Sequence, residues 1–93
     1  MSINENFSYP LNDDWSTEEI TKVVNFFADI EVAYTKGIGS KRLKQSYQAF
    51  LEVVPNKSEQ KRLFREFKKN SGMEPFTAVK QLKDESIKKI MVK

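Results

Sequence analysis

In the stretch YTKGIGSKRL, residues 34–43, Gly37, Gly39 and Ser40 run into Lys41 and Arg42. These are the residue types of loops that cradle phosphate, where glycines let the backbone approach and the free amides of a helix start meet the anion. A P-loop needs a preceding strand and the spacing GxxxxGK[ST], and this stretch has neither. The stronger reading is a corner between two helices. Gly37 ends one helix, Ser40 caps the next, and Ile38 and Gly39 are the connection. An anion site assisted by Lys41 and Arg42 is the weaker alternative.

Acid–base chemistry would fall to carboxylates, because the chain has no histidine and no cysteine. Those absences also remove the usual metal ligands, thiol nucleophiles and disulfides. The candidates are Asp13, Asp14, Glu18, Glu19, Asp29 and Glu31. The first four crowd a helix start, where capping and the helix dipole account for them. Asp29 and Glu31 are two residues apart, a spacing that does not hold a pair on one helical face. A calcium loop starting at Asn12 would need a glutamate at its twelfth position, and Val23 stands there. No catalytic, metal or cofactor site is expected.

The elements that position these residues are read from punctuation and period. In DDWSTEEI, Ser16 and Glu19 form a capping box and Trp15 can pack on Ile20 as a hydrophobic staple. Ile20, Val23, Val24, Phe27, Ile30 and Tyr34 then recur at helical spacing, predicting a first helix over 17–36. Leu43, Tyr47, Phe50, Leu51 and Val54 mark a second, stopped by Pro55. Asn56 with Glu59, or else Ser58, opens a third, which carries Leu63, Phe64 and Phe67 and closes at Gly72. Pro75 starts a shorter fourth through Phe76, Val79 and Leu82. Beyond KDES the phase drifts, and the last ten residues extend that helix, form a separate short one or fray. No β signal is evident. The expected fold is all-α: three main helices plus a shorter C-terminal one, with an extended arm over 1–14, a helical domain over 15–83 and a tail over 84–93.

A chain of 93 residues is one domain with a thin core. Aromatics at 12% supply the bulk that an apolar fraction of 39% otherwise lacks. MSINENFSYP has neither the basic nor the apolar region of a signal peptide, and no apolar run approaches the roughly 20 residues of a membrane span. A cytoplasmic location is expected. The net charge of +3 conceals a division: residues 1–35 carry seven acidic residues against Lys22 alone, whereas 36–93 carry fifteen basic against six acidic. That division suits docking of acidic on basic surfaces, within the chain, between two copies in a homo-oligomer, or with a partner.

Lys41, Arg42 and Lys44 on the second helix, with Lys61, Arg62, Arg65, Lys68 and Lys69 on the third, are the candidate anion or nucleic-acid contacts. Two helices about a tight turn also share the outline of a helix-turn-helix. Against this, the acidic first helix must point away from a duplex, and only Gln45, Gln48 and Arg42 offer base-reading groups. The tail SIKKIMVK is too short for firm membrane binding. The leading reading is a non-catalytic protein-interaction module for an unidentified protein partner. Its arm aromatics Phe7, Tyr9 and Trp15 are possible anchors, with Tyr9 and Trp15 the candidate contact residues. Nucleic-acid binding is the alternative.

Tyr9-Pro10-Leu11, WSTEEI, AYTKG, VPNKSEQKRLFREF and the SG before an aromatic resemble, in order and spacing, an uncharacterised protein family of the UPF series. Its members are short proteins of low-GC Gram-positive bacteria. The resemblance spans about residues 9–79 and departs at the tail KDESIKKIMVK. It implies a single-domain helical cytoplasmic protein and brings no activity, cofactor or catalytic residue with it.

Overall fold

The computed structural model describes residues 9–92, so Phe7 and the rest of the arm before Tyr9 lie outside the described residues. Helix α1 spans Thr17–Thr35. Its start is the capping box read from the sequence: Glu19 N–H donates to Ser16 Oγ at 3.1 Å, and Ser16 N–H donates to Glu19 Oε1 at 2.8 Å. Trp15, immediately before the cap, is half-buried against the core. The helix ends where Gly37 takes a φ of 86°, a left-handed conformation that a Cβ disfavours.

Strand β1 is Ile38–Gly39 and helix α2 is Ser40–Val53. Ser40 is therefore not the cap; Gly39 holds that position and contributes no side-chain bond. Ser40 is instead the first residue of the helix, and its N–H donates to the carbonyl of Lys88 at 2.9 Å, so the corner is stitched to the chain's tail. Helix α3 is Lys57–Ser71, capped by Asn56, whose Oδ1 accepts from Glu59 N–H at 3.1 Å. Glu59 turns its carboxylate to Arg62, and Ser58 sits inside the first turn. Helix α3 closes on Gly72 at a φ of 81°. Helix α4, Pro75–Val79, begins at the expected proline but is only five residues long and tightens into a 3₁₀ turn over Lys80–Lys83.

The tail departs from expectation. It neither extends α4 nor forms another helix. Strand β2, Lys89–Ile90, pairs antiparallel with β1, Ile38 opposite Ile90 and Gly39 opposite Lys89. Val92 N–H then donates to the Ala33 carbonyl at 3.0 Å. Two-residue strands are too short to carry a period, which is why the sequence shows no β signal. The poor phase of Ile87, Ile90 and Met91 has a cause: Ile90 and Val92 leave the helix and plug the end of the core. The fold is otherwise helical, as the sequence implies.

Val23, Phe26, Phe27, Ile30 and Ala33 of α1 face Leu43, Phe50 and Val54 of the α2 region, Leu63 and Phe67 of α3, and Ala78 and Val79 of α4. Tyr34 fastens α4 to α1: its hydroxyl accepts from Glu74 N–H at 2.9 Å and donates to the Glu74 carbonyl at 3.1 Å. Gln60 Nε2 donates to the Val54 carbonyl at 2.8 Å, bracing the α2–α3 turn. Because Ile90 is fully buried, Ile90→Ala should cost about 3 kcal/mol through lost contacts and a residual cavity. Thermal or urea unfolding checks this; a loss below about 0.5 kcal/mol would mean that the tail is not part of the cooperative core.

Candidate functional site

The carboxylates that sequence reading offered for acid–base work are in structural service. Asp29 is 5% exposed and pairs with Arg42 at 3.4 Å across α1 and α2. Glu31 is 6% exposed and accepts a hydrogen bond from the hydroxyl of Tyr9. Buried charge is tolerated only with such partners. Asp13, Asp14 and Glu18 are exposed around the start of α1, and Asp14 N–H donates to Asn12 Oδ1 at 2.8 Å in the turn that enters it. The structure does not bring these groups to one point with Asp29 or Glu31. Among the described residues no cluster of three or more carboxylates is placed to hold a metal.

The two candidate anchors of the arm also face inward. The Tyr9 ring lies 5.9 Å from Phe27 and 5.8 Å from Phe67, centroid to centroid, and Trp15 packs on the same core. Leu11, between them, is the more exposed, at 45%.

The eight candidate cations are scattered over several faces. Arg42 is held by Asp29, and Arg62 by Glu59 at 2.5 Å and Glu66 at 3.5 Å. Arg62 thereby holds the Glu59 carboxyl below its ordinary range, chiefly through their hydrogen bond. Lys41 borders a shallow depression with Asp84, Glu85 and Lys88 at the β1–β2 corner. Arg65 and Lys69 lie with Arg62 and Glu66 on the outer side of α3. Lys61, Arg65 and Lys68 share another surface with Phe64, Phe76 and the carboxylate of Glu74. Lys44 and Lys61, from different helices, converge on one groove.

That groove is the best-formed of the concavities named above, among the described residues. It lies between α2, α3 and α4 and encloses about 530 Å³, within the range of binding clefts generally, roughly 300–1,000 Å³. Its walls are helical faces. From α2 come Lys44, Tyr47, Gln48 and Leu51, and from α3 Lys57, Gln60, Lys61 and Phe64, each set spaced i, i+3, i+4, i+7. Phe76, Val79 and Leu82 close the third side. The floor is braced from below, since Phe64 lies 5.9 Å from Phe26 and 5.8 Å from Phe50, and Tyr47 lies 5.5 Å from Phe26. Phe76 remains 54% exposed inside the groove.

Five ammonium groups rim this apolar surface: Lys44, Lys57, Lys61, Lys80 and Lys83. None is in an ion pair among the described residues, and the lining holds no carboxylate. Burial pushes the Tyr47 phenol above its ordinary range, so this wall brings no anion at neutral pH. An apolar floor inside a ring of lysines that make no ion pair among the described residues favours an occupant that is apolar in the middle and negative at its edges.

The sequence of this molecule matches the uncharacterised protein family UPF0223 over residues 6–91. The chain belongs to that family. A UPF0223 protein of Streptococcus pneumoniae (serotype 4) is 47% identical over 88 residues, 95% of this chain and 96% of that protein. One from Streptococcus sanguinis is 44% identical over 81 residues, 87% of this chain and 88% of that protein. The family match runs into the tail as far as residue 91, beyond the 9–79 span of the resemblance, and so includes the buried Ile90 of this UPF0223 fold.

Sequence reading of this UPF0223 chain missed Lys57, Lys80 and Lys83 as rim residues, and Phe76 and Leu82 as surface. A signal was present for the last two, because Phe76 stands four residues, about one helical turn, before Lys80, and Leu82 stands beside Lys83. The two buried carboxylates were also legible: Asp29 is three residues after Phe26 and Glu31 four after Phe27, on the apolar stripe itself. Tyr9→Phe keeps the ring and removes the donor to Glu31. It should destabilise the fold by about 2 kcal/mol, because a buried carboxylate loses its hydrogen bond. Thermal melts read this directly; an unchanged Tm would show that Glu31 is satisfied otherwise.

Proposed function

We propose that this UPF0223 protein is a non-catalytic protein-interaction module whose docking face is the lysine-rimmed groove between α2, α3 and α4. The observation that carries the reading is the half-exposed Phe76 over an apolar floor, surrounded by five ammonium groups without an ion-pair partner among the described residues and with no lining carboxylate. Exposed aromatics in a desolvatable recess are the usual anchors of protein interfaces. Cations at the rim set partner choice and encounter rate. The non-catalytic part draws on Asp29 and Glu31, which are engaged with Arg42 and Tyr9 and do not line the groove.

A second reading, nucleic-acid binding, has one observation in its favour. Lys61, Arg65 and Lys68 lie at i, i+4, i+7 on α3 and border Phe76, a short basic row beside an exposed ring. It is the weaker reading because successive bases need several free rings, and Tyr47 and Phe64 are half-buried on the core. Arg42 and Arg62 are also occupied by the chain's own carboxylates.

The two are separated by capture from a cell lysate with a photo-reactive side chain at position 80, in the parent protein and in Phe76→Ala and Lys61→Glu forms. The expected outcome is a reproducible protein adduct that falls at least fivefold in both variants, with fold stability changed by less than about 0.5 kcal/mol. Equal adduct in all three would remove the groove from the interaction. Binding of single-stranded oligonucleotides that weakens steeply with salt and with Lys61→Glu would transfer the function to nucleic acid.

A further inference from the structure

The groove constrains the shape of its partner as well as its charge. Every wall is a helix or a 3₁₀ turn, so the wall backbones have spent their amides and carbonyls internally. A bound segment finds no strand edge on which to pair. Buried backbone groups must nevertheless be satisfied, and over the apolar floor the walls offer only scattered side-chain groups for this, such as Tyr47 and Gln48. An α-helix meets that condition, whereas an extended peptide leaves half of its polar groups against hydrocarbon.

The wall spacing agrees with this. Residues at i, i+3, i+4 and i+7 on both α2 and α3 make two ridged faces with a trough between them, the surface into which the ridges of a third helix pack. From Lys44 to Leu51 the α2 wall rises about 10 Å, or two helical turns.

We infer that the partner presents a single amphipathic α-helix, with an apolar stripe about two turns long seated on Phe76, Phe64 and Leu51, and with aspartate or glutamate along both flanks facing the rim lysines. The helix belongs to another protein. The chain's own acidic helix, α1, has its stripe of Val23, Phe26, Phe27 and Ile30 fully buried, so a second copy has no such helix to offer among the described residues. This inference rests on the groove being the docking face.

The test uses the full chain and three fluorescein-labelled 18-residue peptides. The first places leucines at i, i+3, i+4, i+7 with glutamates on the flanks. The second has the same composition with the leucines scrambled off that period. The third keeps the leucine spacing and exchanges one central residue for proline. Anisotropy should give low-micromolar binding for the first and at least tenfold weaker binding for the other two. Dichroism at 222 nm should show helix gained on mixing beyond the sum of the parts. Lys61→Glu together with Lys80→Glu should weaken the first peptide at least tenfold, and a lysine-flanked version of that peptide should recover binding to this double variant. Equal binding of the three peptides, or binding without added helix, would overturn the helical partner while leaving the groove as the docking face. The helical partner is overturned in the same way if no peptide binds yet position 80 still yields a Phe76-dependent protein adduct. Loss of both peptide binding and adduct would remove the groove itself. Concentration-dependent self-association abolished by the double variant would replace the foreign helix with a second copy.

Discussion

Five phenylalanine rings from three helices meet in one stack, and the rest of the architecture is arranged around it. Phe26 of α1 lies 4.6 Å from Phe50 of α2, Phe27 of α1 lies 4.6 Å from Phe67 of α3, and Phe64 lies 5.8 Å from Phe50. A chain this short has few apolar residues, and each large ring can bury roughly 150–250 Å². Concentrating the rings at one crossing joins three helices with few residues. It also leaves little freedom, because rings that meet at offset-stacked distances resist sliding. The positions of Tyr47 and Phe64 at the edge of the stack follow, and with them the floor of the groove.

The same crossing sorts the charges. Asp29 and Glu31 stand on the apolar stripe of α1, so docking that helix carries two carboxylates inward. Each needs a partner brought from elsewhere. Arg42 comes from α2 and Tyr9 from the segment before α1, and these two contacts hold α2 and the arm's first described residue to α1. What remains at the surface is therefore more unequal than the composition suggests. The acidic groups still exposed on the N-terminal side gather at the start of α1, while the lysines of α2, α3 and the 3₁₀ turn stand about a groove whose lining holds no carboxylate.

Much of this was legible in the residues and some was not, for identifiable reasons. The capping box at Ser16 and Glu19, the Asn56 cap and the terminal glycines Gly37 and Gly72 are local devices, complete within four residues, and the structure keeps each of them. The corner at 37–40 was visible as a corner. Its pairing with the tail was not, because that bond joins segments some fifty residues apart and each contributes two residues. Ser40 looked like a cap because residue type is local, whereas the bond from its N–H to the Lys88 carbonyl is supplied by tertiary structure. Tyr9 and Trp15 looked available because the sequence shows ring type and not the direction the arm takes. The groove has no linear signature at all. Its rim lysines come from separate segments, and each one alone reads as an ordinary solvated side chain.

The open groove is a consequence of where the tail is committed. After the 3₁₀ turn the chain bends at Asp84, whose Oδ1 accepts from the Ser86 amide at 3.0 Å and hydroxyl at 2.6 Å, and runs to the α1–α2 corner to pair as β2. Residues that a longer α4 would have laid across α2 and α3 are spent instead on closing the core with Ile90 and Val92. Phe76 and Leu82 are thus left at the surface beside α2 and α3. Lysines suit such an edge: their methylene stems lie along apolar surface while the ammonium heads stay in water. Two copies meeting groove to groove would bring two rings of like charge face to face, which disfavours that mode of self-association. A ring of lysines therefore keeps an apolar recess open in water, admits a partner of opposite sign, and discourages the chain from covering the recess with its own twin.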